Sequence, residues 1–312
     1  YRESGQQASG ELDTQKAKKL IEEIARAGFQ IMIFSGGEPL MRDDIYLLIH
    51  YAKQLGLRPV LGTNGTLITE EVAHKLKEAG LLAAGISLDS LDRKKHDHLR
   101  GMDGAWDKAI RGMKNCQAVG LPFQIHTTIM DWNESEITDL MDFAVTVGAR
   151  AHHIFFLIPT GRGEEIKAMA LDRLSYERVL QRIMTKAKAI PIEVKPTCAP
   201  QFIRVADEVG KKQRFSKGCL AGLSYCIISP KGEVQPCAYM KMAIGNVKER
   251  PFDEIWETNE VFQSLRTMKY SGQCGTCHYG ERCGGCRARA AYYHKGDYMS
   301  ADPLCILNKE GN

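Results

Sequence analysis

The sequence predicts an α/β fold: a parallel sheet with helices outside it, closed fully or partly into a β/α barrel, followed by a small cysteine-rich domain. Three observations predict it. Strand and helix patterns alternate from Leu12 to about Val147 and recur beyond. Glycine-rich or polar clusters follow the strand segments at Ser35 to Pro39, Gly62 to Gly65, Ser87 to Asp89 and Thr160 to Gly163. Eight of the ten cysteines fall in the last third of the 312 residues. Alternation at this period means a parallel sheet. Five or six such units in roughly two hundred residues suit a barrel or part-barrel better than a small open sheet.

The elements follow in order. Asp13 or Thr14 caps a first helix whose apolar positions (Ala17, Leu20, Ile21, Ile24) fall at helical spacing, and Gly28 ends it. Gln30 to Phe34 reads as a buried strand running into Ser35-Gly36-Gly37-Glu38-Pro39-Leu40. A helix over Asp43 to Leu55 leads to the strand Arg58 to Leu61 and the loop Gly62-Thr63-Asn64-Gly65. A third helix, Glu70 to Ala79, precedes Ala83 to Asp89. A fourth, Trp106 to Ala118, precedes the strand Phe123 to Ile129, and a fifth, about Ser135 to Val147, precedes Ala151 to Ile158. A helix from about Ser175 to Ile190 closes this region. Pro191, Pro196 and Pro200 then break the chain, and Gly210 to Arg214 reads as an exposed basic linker. The expected division is 1–195 for the barrel, 196–217 for the linker and 218–312 for the cysteine domain. Inside the last, Tyr225 to Cys237 reads as a hairpin turning at Pro230-Lys231-Gly232, with short helices at Phe252 to Trp256 and Glu260 to Met268. In such folds ligands sit at the C-terminal ends of strands. One glycine-rich strand end is ordinary turn chemistry; four together point to a binding face.

Composition excludes little but is consistent. Net charge is +4 with signs interspersed, which gives no electrostatic footprint for nucleic acid. No apolar run approaches the roughly 18 residues of a membrane span, and no signal-peptide pattern opens the chain. The cysteines admit three readings. Disulfides suit short secreted domains with thin cores, whereas 312 residues that are 44% hydrophobic bury an ample core unaided. Zinc is the stronger rival, but Cys274-x2-Cys277 and Cys283-x2-Cys286 are separated by five residues, against the usual twelve to twenty or so between zinc knuckles. Two four-iron clusters use all eight thiolates with none left over. The count favours clusters and leaves two zinc sites open.

Gly36-Gly37-Glu38-Pro39 after the first strand, Thr63-Asn64-Gly65 after the second and Ser87-Leu88-Asp89 after the third resemble the radical S-adenosylmethionine superfamily. The resemblance implies a partial (β/α)6 TIM-like barrel. It also implies that Gly36, Gly37, Glu38 and Pro39 bind the amino group of the methionine moiety, with Thr63, Asn64, Ser87 and Asp89 as further cofactor contacts. Arg100 and Asn133 are weaker candidates. Glycines let backbone carbonyls approach the ligand, and a carboxylate favours an ammonium partner. Cys219-x12-Gly232-x4-Cys237, then Cys274-x2-Cys277-x5-Cys283-x2-Cys286 and Cys305, resembles the SPASM extension of that superfamily, with x2 in place of x3 before Cys286. By that analogy Cys219, Cys226, Cys237 and Cys286 hold one auxiliary [4Fe–4S] cluster, and Cys274, Cys277, Cys283 and Cys305 the other. The superfamily's Cys-x3-Cys-x2-Cys motif does not occur in these 312 residues. The resemblance places it upstream of Tyr1, which looks like the residue after its third cysteine; the alternative is a degenerate homologue.

Thr197-Cys198-Ala199-Pro200, Gly218 to Gly222, Val234 to Cys237, Gly245 to Phe252 and Cys283 to Arg289 resemble the haem-biosynthesis branch of the SPASM group. Retention of all eight cysteines resembles the type that converts the two propionates of iron-coproporphyrin III to vinyl groups, giving haem b. The resemblance implies S-adenosylmethionine and [4Fe–4S] clusters as cofactors, an iron-porphyrin substrate, a low-potential donor such as ferredoxin or flavodoxin, and an anaerobic cytoplasm. The alternatives are a SPASM enzyme acting on sirohaem or haem d1 precursors, or one maturing a ribosomal peptide, and, outside enzymes, an electron-transfer or zinc scaffold. Cys198 and His126 are the candidate catalytic residues. Cys116 reads as buried filler. Of His152 and His153 only one can share the inner face with His126, and strand histidines are commonly satisfied core residues although imidazole ligates haem. Arg162, Arg204, Arg287 and Arg289 are candidate propionate partners.

Overall fold

Strand–helix alternation gives one six-stranded sheet, described with the rest of the chain by a computed structural model covering residues 9–212 and 214–308. Strands β1 (Ile31–Phe34), β2 (Arg58–Thr63), β3 (Ala83–Ser87), β4 (Phe123–Ile129), β5 (Ala151–Phe156) and β6 (Glu193–Thr197) lie side by side in chain order, every pairing parallel. The first and last strands do not meet, so the sheet is a half-barrel. The helices between strands are α1 (Thr14–Arg26), α2 (Ile45–Gln54), α3 (Glu70–Ala79), α4 (Arg93–Arg100), α5 (Ala105–Ala118), α6 (Ile137–Thr146) and α7 (Arg173–Lys186). Local chemistry fixes their ends. Asp13 caps α1 by accepting from the Lys16 N–H at 2.8 Å, and Asp172 caps α7 through two backbone donors. Gly80 ends α3 in the left-handed conformation glycine tolerates.

Side-chain alternation assigns the two faces of the sheet. On β4, Phe123, Ile125, Thr127 and Ile129 are buried against helices, while Gln124, His126 and Thr128 are partly exposed on the other, inner face. One apolar core lies between β1–β4 and α1–α5, a second between β4–β6 and the later helices.

Two elements depart from expectation. Residues 193–197, where prolines were expected to break the chain, form β6, so a boundary at 195 cuts through a strand. Pro196 is tolerated because β6 pairs on one side alone, and an edge strand accepts a residue without an N–H. The expected linker 196–217 contains a helix, α8 (Phe202–Val209), whose Phe202, Ile203, Val205 and Ala206 are fully buried in the second core. Only its continuation fits the linker description: Gly210, Lys212 and Arg214 are exposed. Tyr1 lies outside the described residues, as does the side chain of Arg162.

The hairpin expected at Tyr225 to Cys237 is present as β7 (Ile227–Ile228) and β8 (Glu233–Gln235), antiparallel and joined by β9 (Gly245–Asn246). Short helices follow: α9 (Phe252–Thr258), α10 (Glu260–Thr267), α11 (Gly272–Thr276), α12 (Gly280–Cys283) and α13 (Arg287–Tyr293). This module grips both ends of the half-barrel. At the first end, Glu23 of α1 accepts the Phe252 N–H at 2.8 Å, Arg26 pairs with Asp253 at 3.2 Å, and Phe29 packs edge-on to Trp256. At the last end, Arg282 pairs with Asp207 of α8 at 2.7 Å and Arg173 of α7 donates to the Ile306 carbonyl at 2.8 Å. Val234, Phe252, Ile255 and Phe262 belong to the first core, so packing continues across the expected domain boundary. Among the described residues no helix is long and apolar enough to cross a membrane.

Candidate functional site

The C-terminal ends of four neighbouring strands are tied into one hydrogen-bonded network. Beyond β1, Gly36 takes φ +140°, where a Cβ would be strained though it would meet nothing within 4 Å. Glu38 turns back to β2: its Oε1 accepts from Leu40 N (3.1 Å) and Thr63 Oγ1 (2.8 Å), its Oε2 from Asn64 N (2.9 Å). Pro39 opens the short turn that follows. Burial pushes the Glu38 carboxyl up, against the pull of those three donors. Ser87 Oγ donates to the Thr63 carbonyl at 3.4 Å. Asp89, after β3, is fully buried. Its carboxylate accepts from Arg100 Nε (2.6 Å) and Thr128 N (2.9 Å). Its backbone N–H donates to His96 Nδ1 at 3.2 Å, and burial holds that imidazole down at about 4. Asn133 spends its amide on the Asp89 and Thr128 carbonyls and its oxygen on the Met130 N–H.

The expected cofactor residues are thus adjacent, with different exposures. Gly36 and Gly37 are exposed; Glu38, Thr63 and Asn64 are buried at the rim. Asp89 and Asn133 reach no surface and act by holding neighbours, Asp89 by aiming Arg100.

A polar row crosses the inner face. Register aligns Ser87, His126, His153 and Lys195 on β3 to β6. The His126 and His153 rings stack at 5.3 Å. Gly85 leaves room for this: a Cβ there would stand 2.3 Å from His126 Cε1. His126 Nε2 is buried without a hydrogen-bond partner, and burial holds the ring down at about 3, hence neutral. His152 points the other way into the helix-side core. Thr127 Oγ1 donates to the Leu88 carbonyl at 2.6 Å, so it accepts from His152 Nε2 at 2.8 Å, which fixes that tautomer. Cys116 is core filler, its thiol pushed up to about 12 by burial.

The cysteines separate into two groups. Cys274, Cys277, Cys283 and Cys305 line one partly open cavity, with Gln201 and Asp302 in its wall. In the other group, the Cys219 and Cys237 thiols both feel the charge of Cys286. Cys226 packs against the first core and lies near Arg266. Cys198 stands beside Cys286 instead. Backbone N–H groups point at the sulfurs: Ala221 at Cys219, Tyr239 at Cys237, Gly285 at Cys283, Leu307 at Cys305. Such donors favour a thiolate, while burial pushes these thiols up, Cys305 to about 11. Half-buried sulfurs that each face a backbone N–H donor suit an iron–sulfur cluster, since hydrogen bonds to sulfur tune it. Among the described residues no three His, Cys, Asp or Glu converge closely enough to hold a single metal ion.

A buried ion pair joins the two groups. Arg289 Nε and Nη2 donate to Asp302 Oδ1 (2.7 Å) and Oδ2 (2.8 Å). Asp302 Oδ2 also accepts from the Cys286 N–H at 2.7 Å and from Gln201 at 2.8 Å, and Gln201 accepts from Tyr176. Arg289 is therefore spent, as is Arg204 on Glu177 and Glu208. Arg287 is committed to the Tyr298 and Ser300 carbonyls and stacks on Tyr270. None of these three is free for a carboxylate ligand, contrary to expectation. Asp302, Gln201 and Lys195 were not singled out in the sequence; no local pattern marks them, because their partners lie far away in the chain.

A parallel half-barrel with a glycine- and carboxylate-bearing rim, joined to a module of two cysteine groups, defines a radical S-adenosylmethionine protein with auxiliary clusters. Family models agree: the Radical SAM superfamily matches residues 1–144 and the SPASM iron-sulfur cluster-binding domain residues 219–286. These domains indicate S-adenosylmethionine and [4Fe–4S] clusters as cofactors. The chain is 42% identical to the AdoMet-dependent heme synthase of Methanosarcina barkeri, over 96% of this chain and 88% of that protein. It is 41% identical to the protein of the same name from Nitratidesulfovibrio vulgaris, over 95% and 84%. The fold is similar to Streptococcus suis SuiB bound to S-adenosylmethionine, with TM-score 0.74 at 18% identity over 94% of this chain and 70% of that one. The chain belongs to the radical SAM superfamily, and within it to the family of the AdoMet-dependent heme synthases.

Proposed function

We propose that the protein performs oxidative decarboxylation of the two propionates of iron-coproporphyrin III to vinyl groups, giving haem b. The observation that carries this reading is the identity with haem synthases along nearly the whole chain. Each propionate must lose a hydrogen atom from its β-carbon, carbon dioxide, and one further electron. S-adenosylmethionine and the clusters, when bound, supply the hydrogen-abstracting radical and a path for that electron.

The chain's residues provide position and polarity. Gly36, Gly37, Glu38 and Pro39 would receive the amino end of S-adenosylmethionine. Thr63, Asn64 and Ser87 would line its path, and Arg100, aimed by Asp89, would meet its polar part. Cys274, Cys277, Cys283 and Cys305 would hold one auxiliary cluster; Cys219, Cys237 and Cys286 belong to the other. The inner row would receive the substrate, with His126 presenting a neutral nitrogen suited to iron. Lys195, whose Nζ lies over the Phe215 ring, would supply positive charge for a carboxylate. A low-potential carrier such as ferredoxin or flavodoxin would deliver electrons in an anaerobic cytoplasm.

The test uses protein extended to include a Cys-x3-Cys-x2-Cys motif, reconstituted with iron and sulfide under nitrogen. With S-adenosylmethionine, a strong reductant and iron-coproporphyrin III, stepwise loss of two carboxyl groups with 5′-deoxyadenosine formation is expected by mass spectrometry. Deoxyadenosine without porphyrin change moves the substrate to another tetrapyrrole or a peptide. No deoxyadenosine from cluster-loaded protein overturns the enzyme reading.

A further inference from the structure

Cys198 lies outside the eight-cysteine pattern, on the turn leaving β6. Its thiol nevertheless stands beside those of Cys286 and Cys237. Cys198, Cys237 and Cys286 pack into one small cluster with Ile158, Met240 and Tyr239. The position is fixed on purpose-built terms. Its backbone takes φ +59°, a left-handed conformation that a non-glycine residue keeps only where the surroundings over-determine it. Its carbonyl accepts from Arg289 Nη1 at 3.1 Å, and Arg289 is itself locked onto Asp302. Cys226 is arranged differently. It packs beside Ile228 and Ile244 at the first core, and the charged group it faces is Arg266 rather than a thiol of the group.

We propose that Cys198 completes the first auxiliary cluster's ligand set with Cys219, Cys237 and Cys286, and that Cys226 is not a ligand. The inference rests on the reading that these cysteines hold a cluster. Four thiolates are what a [4Fe–4S] cluster takes, and these four come from two parts of the fold. One arrives on the turn that leaves the last strand of the half-barrel, three on the module. A cluster so held would be anchored at the barrel mouth.

The experiment uses the full-length protein, reconstituted anaerobically, as wild type, Cys198→Ala, Cys198→Ser and Cys226→Ala. Iron and sulfide are counted, and the reduced auxiliary clusters are followed by electron paramagnetic resonance, with circular dichroism confirming that each variant folds. Cys198→Ala is expected to remove up to about four irons per chain and the signal of one auxiliary cluster. Cys198→Ser, which keeps an oxygen in place, should retain iron and shift that signal, and Cys226→Ala should leave both unchanged. Loss or change of an auxiliary signal in Cys226→Ala overturns the assignment, as does an unaltered Cys198→Ala. Wild-type protein lacking two auxiliary clusters overturns the cluster reading itself, which distinguishes the two failures.

Discussion

Single side chains decide whether the rim can bind a cation and whether the cysteine module stays together. Glu38 needs its negative charge to favour an ammonium, but burial raises its pKa. Protonation therefore begins at a higher pH than for an exposed glutamate. S-adenosylmethionine affinity should weaken as pH falls through that raised value and recover above it. Glu38→Gln should bind about 10-fold or more weakly, the loss of one charge-assisted contact, with a flattened pH response; equilibrium dialysis across pH 5 to 8 checks both. Asp302→Ala leaves the Arg289 charge buried without its partner, which costs about 3–5 kcal/mol. It should lower the urea midpoint and release iron from both cysteine groups; unchanged iron content would sink this role for the pair. The contrast between the two residues explains what could be read from sequence. Glu38 sits in a contiguous motif whose function is local. Asp302 draws its meaning from Arg289, Gln201 and the Cys286 N–H, up to about a hundred residues away.

Whole elements were legible where one local force dominated. β4 shows strict alternation over Phe123–Ile129 and was expected with those bounds. β6 was missed because prolines argue against a strand unless its edge position is known, and that is a property of the sheet. Helix α8 was missed because its apolar residues follow Pro200 and precede a basic stretch, which together read as linker. Two substitutions test the elements. Gly85→Ala puts a Cβ into the His126 ring, so β3 or the imidazole must yield. A cost of about 1–3 kcal/mol is expected, with loss of the His126–His153 stack, checked by thermal melting and histidine NMR. Phe202→Ala on α8 should cost about 3–5 kcal/mol. A near-neutral result would mean that α8 is the loose linker after all.

Among the described residues three histidines, His96 and His152 fully buried and His126 half-buried, have depressed pKa values: His96 at about 4, His126 and His152 at about 3. Unfolded, each would titrate near 6.5. Below that pH the unfolded chain binds protons that the folded one refuses, so stability falls as pH drops from 6.5 toward 4. The slope is about 1.4 kcal/mol per pH unit for each histidine. Urea midpoints should fall steadily from pH 7 to pH 5, and His152→Gln should flatten the dependence; a pH-independent midpoint would contradict the burial. The two-part architecture was visible in the cysteine spacing, yet not the continuity of the first core through Phe252, Ile255 and Phe262 into the module. A half-barrel has no closure of its own to set its curvature. Here the module works as a clasp on a spring, hooked at α1 and again at α7 and α8. Iron bound in the clasp would then govern tension across a sheet it meets only where the chain leaves β6. Stripping the metal should speed amide exchange at both outer strands together, β1 and β6, while the middle strands keep their protection.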